Sequence, residues 1–152
     1  MVDVAAKVGA LALVLGVQAD DTVGMLEYAR RAEMLAPDAM IAIPPRTASS
    51  LVDFRDYYAA LCDVTDRPIF VQTSGGAPDI EPTVDFLVSL AREFPQCGYV
   101  KEEHPPVQER MLELLLPSRK AAFEEQAESS STTRDKLRKL LLEGYICLLY
   151  TS

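Results

Sequence analysis

Four short apolar runs recur along the chain about thirty residues apart, and this period is the feature that most limits the fold. The runs are 11–16, 39–43, 69–73 and 98–101, and their first residues lie 28, 30 and 29 positions apart. None of them alternates apolar and polar residues as a half-exposed strand does, which indicates strands covered on both faces. The intervening segments are long enough for helices, so the chain is predicted to repeat strand–helix units around a parallel sheet.

Helix-starting residues stand in each segment after a run: Asp21 or Thr22, Ser49 or Ser50, Pro82 in a first turn, and Pro106. Apolar residues at helical spacing are predicted to face the core. They are Val23, Leu26, Ala29 and Met34; Leu51, Phe54, Tyr58 and Leu61; Val84, Leu87, Val88 and Ala91; and Val107, Met111, Leu114 and Leu115.

Two α/β architectures remain open: a doubly wound sheet, or part of a (β/α)₈ barrel. Four units in about 110 residues would be half of a barrel, because a complete one takes about 250 residues. The first run is not followed by Gly-x-Gly-x-x-Gly, so a dinucleotide-binding sheet has no support.

Composition excludes several classes of function. The net charge of −8 argues against nucleic acid or an anionic membrane as partner. The single histidine, His104, excludes multi-histidine metal sites, and we expect no metal or organic cofactor. Three widely spaced cysteines form neither a disulfide framework nor a zinc motif. With no apolar run of about 18 residues and no signal peptide, we expect a cytoplasmic protein.

Lys101 is the residue with the clearest chemical potential. It follows the run Gly98-Tyr99-Val100, at the carboxyl end of a predicted strand, which is where α/β barrels place their chemistry. An amine in an apolar pocket loses its proton more easily, and the neutral amine can attack a ketone to form a Schiff base. The alternative interpretation is a solvated lysine just beyond a strand.

The ordered segments resemble the dihydrodipicolinate synthase/N-acetylneuraminate lyase family of Schiff-base barrel enzymes. The resemblance covers roughly residues 4–116, and its stretches are 16–22, Pro44-Pro45, 67–71 and 99–102. It implies a partial (β/α)₈ barrel in which the four parallel strands are barrel strands three to six. It also implies that Lys101 forms an imine with pyruvate or another 2-oxo acid, and that the protein is a homo-oligomer.

The chain departs from the family at several site positions. Gln72 stands where members carry a proton-relaying tyrosine at the end of the fifth strand, and Arg46 replaces the tyrosine after the double proline. The loop 74–78 lacks the arginine that binds a substrate carboxylate. We therefore predict Lys101 as the catalytic residue, with Gln72, Arg46 and Thr73 as substrate contacts.

Weaker candidates have plain structural alternatives. Glu102 and Glu103 are interpreted as part of a solvated loop, because a carboxylate beside Lys101 favours its charged form. His104 is interpreted as a surface residue. Tyr99 shares a strand face with Lys101 and is predicted to fill the barrel interior. Gly75-Gly76 is interpreted as a tight turn rather than an anion site.

The chain changes character near Pro117. Residues 1–116 carry nine basic and eighteen acidic side chains, whereas residues 117–152 carry six and five and show no seventh strand. We interpret 1–116 as the partial barrel domain and 117–152 as an atypical tail of frameshifted or non-native sequence. Half a barrel leaves two open sheet edges and an apolar inner face, so we expect self-association or poor solubility.

The predicted function is a lyase or aldolase that acts on a 2-oxo acid, by aldol cleavage, condensation or dehydration. The alternative is a non-catalytic protein: a truncated fragment, or a relative that binds ligands without the tyrosine proton relay. We expect the full-length parent to be the enzyme and the chain as given to be inactive.

Overall fold

A parallel four-stranded sheet organises the part of the protein that the computed structural model describes, residues 12–116. The strands are β1 (Val14–Gly16), β2 (Ala39–Ala42), β3 (Ile69–Gln72) and β4 (Tyr99–Lys101), in the spatial order β1-β2-β3-β4. Neighbours in sequence are neighbours in the sheet, and all three pairings are parallel. The predicted period and strand positions are therefore confirmed, with strand ends within a few residues of the apolar runs.

Four helices alternate with the strands: α1 (Thr22–Met34), α2 (Leu51–Cys62), α3 (Val84–Glu93) and α4 (Val107–Leu114). A short 3₁₀ turn, Pro95–Cys97, leads from α3 into β4. The side chains of Asp21 and Ser50 accept hydrogen bonds from the backbone of the first turns of α1 and α2, as capping chemistry predicts. Thr83 does the same for α3, so Pro82 precedes that helix rather than lying in its first turn.

The two faces of the sheet carry different clusters. Side chains such as Met40, Ala42, Ile69 and Val71 pack with the helices in the main core. The opposite face holds a smaller cluster of Ala39, Phe70, Ala12, Ile41 and Tyr99. Because side chains alternate along a strand, β2, β3 and β4 each contribute to both clusters, whereas β1 contributes only Leu15, to the main core. β4 therefore has one helix-covered face, with Val100, and one face turned towards the smaller cluster, with Tyr99.

The predicted helix faces are only partly right. The α3 set is fully buried, and Phe54, Tyr58 and Leu61 of α2 are buried as well. In α1, however, Val23 and Met34 are 70% and 85% exposed, and Met25, Ala29 and Ala32 form the buried face instead. Leu115 is also exposed. Apolar spacing identified the helix, but the packing of α1 on the sheet set its rotation.

No helix in residues 12–116 is long and apolar enough to cross a membrane. The predicted tail, 117–152, and Leu11 of the first apolar run lie outside the described residues.

Candidate active site

Lys101 and Gln72 meet at the carboxyl ends of two adjacent strands. They are direct partners in the parallel register of β3 and β4, so their side chains leave the sheet on the same face. Two residues earlier on the same strands, Phe70 and Tyr99 pack ring against ring with centroids 5.2 Å apart. Tyr99 therefore packs one layer below Lys101, in agreement with its predicted place in the interior.

Glu103 is the centre of the contacts around Lys101. Its Oε1 lies 2.8 Å from Lys101 Nζ, and its Oε2 accepts a hydrogen bond of 2.6 Å from Gln72 Nε2. The Ser74 hydroxyl donates to the same Oε2, and Gln72 Nε2 also lies 3.0 Å from Ser74 Oγ. The Lys101 side chain is 36% exposed and that of Glu103 only 13%, so a solvent-reachable amine rests on a largely buried carboxylate.

The environment of Glu103 favours its ionised form. Burial alone raises the pKa of this carboxyl, but hydrogen bonds from Lys101, Ser74 and Gln72 and the positive charge of Lys101 outweigh burial, so the pKa is lowered overall. Glu103 is thus a carboxylate at neutral pH. The prediction that it belongs to a solvated loop is wrong, because three neighbouring side chains hold it in place.

Glu102 lies on the other, helix-covered side of the chain and is completely buried. Its Oε1 accepts hydrogen bonds from Thr73 Oγ1, at 2.6 Å, and from the His104 backbone N–H, at 2.8 Å. Thr73 Oγ1 in turn accepts from the backbone N–H groups of Glu103 and His104. These bonds fix the turn that follows Lys101, and the solvated-loop interpretation is wrong for Glu102 as well.

Arg110, on α4, supplies the positive charge that Glu102 faces. Its Nε lies 3.1 Å from Glu102 Oε2, but the N–H does not point at that oxygen, so the contact is an ion pair without a hydrogen bond. The guanidinium also donates to Glu81 Oε1 and to the Pro82 carbonyl, both at 2.6 Å. With a side chain only 7% exposed, Arg110 joins α4 to β4 and to the segment before α3.

The two other predicted substrate contacts are not brought to the Lys101 amine. Thr73 is buried, and its hydroxyl contacts Glu102 and the backbone carbonyl of Lys101 rather than the Lys101 side chain. Arg46, after β2, is 74% exposed and lies 3.9 Å from Asp20. None of the contacts described for residues 12–116 joins Arg46 to Lys101, Gln72 or Glu103.

The remaining candidates have structural roles. Gly75 and Gly76 have φ angles of 77° and 80°, the left-handed region that glycine tolerates, which agrees with a tight turn. His104 is partly buried, with Nε2 3.5 Å from Glu81 Oε2.

A cleft of about 340 Å³ between α3 and α4 is lined by Glu81, Arg110 and neighbouring residues, and by none of the predicted site residues. No cluster that could hold a metal occurs within residues 12–116.

The spacing of Lys101 and Glu103 in the sequence is a local signal that the two side chains lie together. Residues 101 and 103 are two apart, so an extended backbone beyond β4 places both side chains on one side. The contact of Glu103 with Gln72 and Ser74, however, depends on the pairing of β3 with β4, which only the fold supplies.

Among curated proteins, the chain is similar to 4-hydroxy-tetrahydrodipicolinate synthase of Phocaeicola vulgatus. It is 26% identical over 95 residues, which are 62% of this chain and 32% of that protein. No family model matches the chain. The chain is a relative of the dihydrodipicolinate synthase family. It spans about a third of the length of this curated member.

Solved structures of the family share the fold. Dihydrodipicolinate synthase of Thermotoga maritima matches with a TM-score of 0.67 at 18% identity, over 80% of this chain and 41% of its own. A prophage protein of E. coli K12 in this family, crystallised with pyruvate, gives 0.63 at 14% identity over 73% and 38% of the two chains. The Acinetobacter baumannii synthase, also complexed with pyruvate, gives 0.63 at 20% over 75% and 39%. The four strands therefore correspond to part of a (β/α)₈ barrel.

Proposed function

We propose that the protein to which this chain belongs is a lyase that forms a Schiff base between Lys101 and pyruvate or another 2-oxo acid. The observation that carries the proposal is the position of Lys101: its amine is partly exposed at the carboxyl end of β4, beside Gln72 and Glu103. Two relatives of the same fold were crystallised with pyruvate, which supports a 2-oxo acid as the electrophile.

The reaction begins when the neutral amine of Lys101 attacks the ketone carbon. A C–N bond forms, the carbonyl electron pair moves to oxygen, and loss of water leaves an iminium ion. The iminium draws electrons from the neighbouring carbon, which favours breaking or forming a bond there. Glu103 Oε1, 2.8 Å from Nζ, lies within reach of the proton that the ammonium must release first.

Gln72 is the substrate contact that this arrangement favours. Its Nε2 already donates to Glu103 and can turn to a substrate oxygen when the ligand displaces that carboxylate. Thr73 then serves as a positioning residue, since its hydroxyl binds Glu102 and the turn after Lys101.

Arg46 stays a predicted contact for the substrate carboxylate. Arg46→Gln is therefore expected to raise the pyruvate concentration needed for half-maximal borohydride trapping of the imine.

One observation favours the second candidate, a relative without turnover. The carboxylate of Glu103 pairs with Lys101 at 2.8 Å and remains ionised at neutral pH. Such a pair favours the ammonium over the nucleophilic amine, and a fixed negative charge repels an incoming 2-oxo acid. In this alternative, Glu103 keeps Lys101 paired, and ligands bind without imine formation.

Borohydride trapping decides between the two candidates. The full chain is incubated with pyruvate and sodium borohydride, and the modified peptide is mapped by mass spectrometry beside Lys101→Arg and Glu103→Gln. A reduced pyruvyl adduct on Lys101 in the parent chain, absent in Lys101→Arg, is the result expected of the enzyme. An adduct only in Glu103→Gln supports the non-catalytic relative, and no adduct in any folded sample refutes the Schiff base.

A further inference from the structure

Two cysteines that are far apart in sequence touch in the fold. Cys62 is the last residue of α2, and Cys97 is the last residue of the 3₁₀ turn before β4. Their sulfur atoms are 3.6 Å apart, at the distance of a thiol hydrogen bond, and both thiols are free. The wide sequence spacing gave no sign of this contact, because it depends on how α2 packs against the turn.

The two thiols differ in their access to solvent. Cys97 is 1% exposed and belongs to the main core, whereas Cys62 lies at its margin and is partly exposed. The hydrogen bond with Cys62, followed by burial, raises the pKa of the Cys97 thiol well above its ordinary value. A small oxidant in solution therefore reaches the sulfur of Cys62 first, while Cys97 retains its proton.

We propose that Cys62 and Cys97 are an oxidisable pair that a hydroperoxide converts to an intrachain disulfide. Cys62, as its thiolate, attacks the outer peroxide oxygen, so that an S–O bond forms and the O–O bond breaks. The leaving oxygen takes a proton and departs as water from hydrogen peroxide, or as an alcohol from an organic hydroperoxide. The Cys97 sulfur then attacks the sulfenic acid of Cys62. The S–S bond forms as the S–O bond breaks, and the thiol proton leaves with the hydroxyl as water.

Formation of the disulfide requires little movement of the two sulfur atoms, which are 3.6 Å apart. A disulfide has a sulfur–sulfur distance of about 2.05 Å, so the two atoms must approach by about 1.6 Å. Cys62 ends its helix, where side-chain rotation and fraying cost least. The bond would tie α2 to the turn that leads through Gly98 into β4, the strand that carries Lys101. This inference is independent of the proposed Schiff-base reaction.

The test treats the reduced full chain with limiting hydrogen peroxide and maps its tryptic peptides without reduction. The expected product links the Cys62 and Cys97 peptides, is two hydrogen atoms lighter than their sum, and disappears with dithiothreitol. In Cys97→Ser, dimedone should label a persistent sulfenic acid on Cys62, whereas the parent chain should show no such label. Cys147 lies outside the described residues, so Cys147→Ser is the control and should form the link unchanged.

Two results would overturn the proposal. One is that both thiols of the pair stay alkylatable after peroxide treatment of a folded sample. The other is that Cys62 or Cys97 links only to Cys147 or to a second chain, so that Cys147→Ser abolishes every disulfide. Because the decisive readout is made on the parent chain, it does not depend on whether Cys97→Ser folds.

Discussion

Arg110 connects α4 to Glu102, the residue after Lys101. Replacing Arg110 with methionine tests how much this connection contributes to the stability of the fold. Methionine keeps much of the apolar stem but removes the charge and all donors. The change leaves the carboxylate of Glu102, which is completely buried, without its positive partner. It also removes the hydrogen bonds to the Pro82 carbonyl and to Glu81.

The expected loss of stability is dominated by Glu102. Removing one partner of a buried ion pair costs about 3–5 kcal/mol, because the other charge stays buried without compensation. The lost bond to the buried Pro82 carbonyl adds about 1 kcal/mol. Glu81 is half exposed, so water replaces its bond and its contribution is about 0–1 kcal/mol. We expect Arg110→Met to lower the free energy of unfolding by about 4–7 kcal/mol, a large part of the 5–15 kcal/mol of an ordinary domain.

A second substitution separates charge from packing. In Glu102→Gln/Arg110→Met the buried charge is gone, while the glutamine oxygen can still accept from Thr73 and from the His104 backbone. The double variant should therefore recover about 2 kcal/mol of the loss. Arg31→Met, on the exposed side of α1, is the matched control and should stay within about 0.5 kcal/mol of the parent.

Urea denaturation at pH 7, followed by circular dichroism, measures all four chains. The reasoning is refuted if Arg110→Met lowers the free energy of unfolding by less than about 1 kcal/mol, since a buried carboxylate without its positive partner should destabilise the fold by more than that. It is equally refuted if the single variant is strongly destabilised but Glu102→Gln restores nothing, because the cost would then come from packing alone.

Three further predictions concern the same sheet end and its surroundings. Because the pKa of Glu103 is lowered in the fold, the stability that its carboxylate contributes is complete above the ordinary glutamate pKa and is lost as the pH falls through the folded value. The difference in free energy of unfolding between the parent and Glu103→Gln, measured by urea denaturation, should therefore shrink from about pH 6 to about pH 3. A difference that stays constant over this range would contradict the prediction. Gly75→Ala should cost about 1–3 kcal/mol in urea melts, since φ is 77° and the new Cβ would lie 2.7 Å from Ile43 Cγ2; an unchanged midpoint would argue against this turn. Within residues 12–116, β1 and β4 each pair on one side only, so light scattering after size-exclusion chromatography should find oligomers, and a monodisperse monomer would contradict the expectation.

The sequence determined the strand–helix order and most helix starts. Apolar runs at a thirty-residue period indicated strands separated by helices, although the expected cover on both faces is wrong for the edge strand β1, where Val14 is exposed. The helix caps at Asp21 and Ser50 act within one turn of chain. Lys101 was found for the same local reason, because it ends an apolar run. Its register with Gln72 follows once β3 and β4 pair in parallel.

Tertiary structure decided everything that depends on residues distant in sequence. The rotation of α1, which exposes Met34 and buries Met25, follows from packing on the sheet rather than from spacing along the helix. The burial of Glu102 requires Arg110 from a later helix, and the contact of Cys62 with Cys97 joins positions 35 residues apart. Local patterns specify which elements form, whereas the charge and burial of a side chain depend on the elements that pack against it.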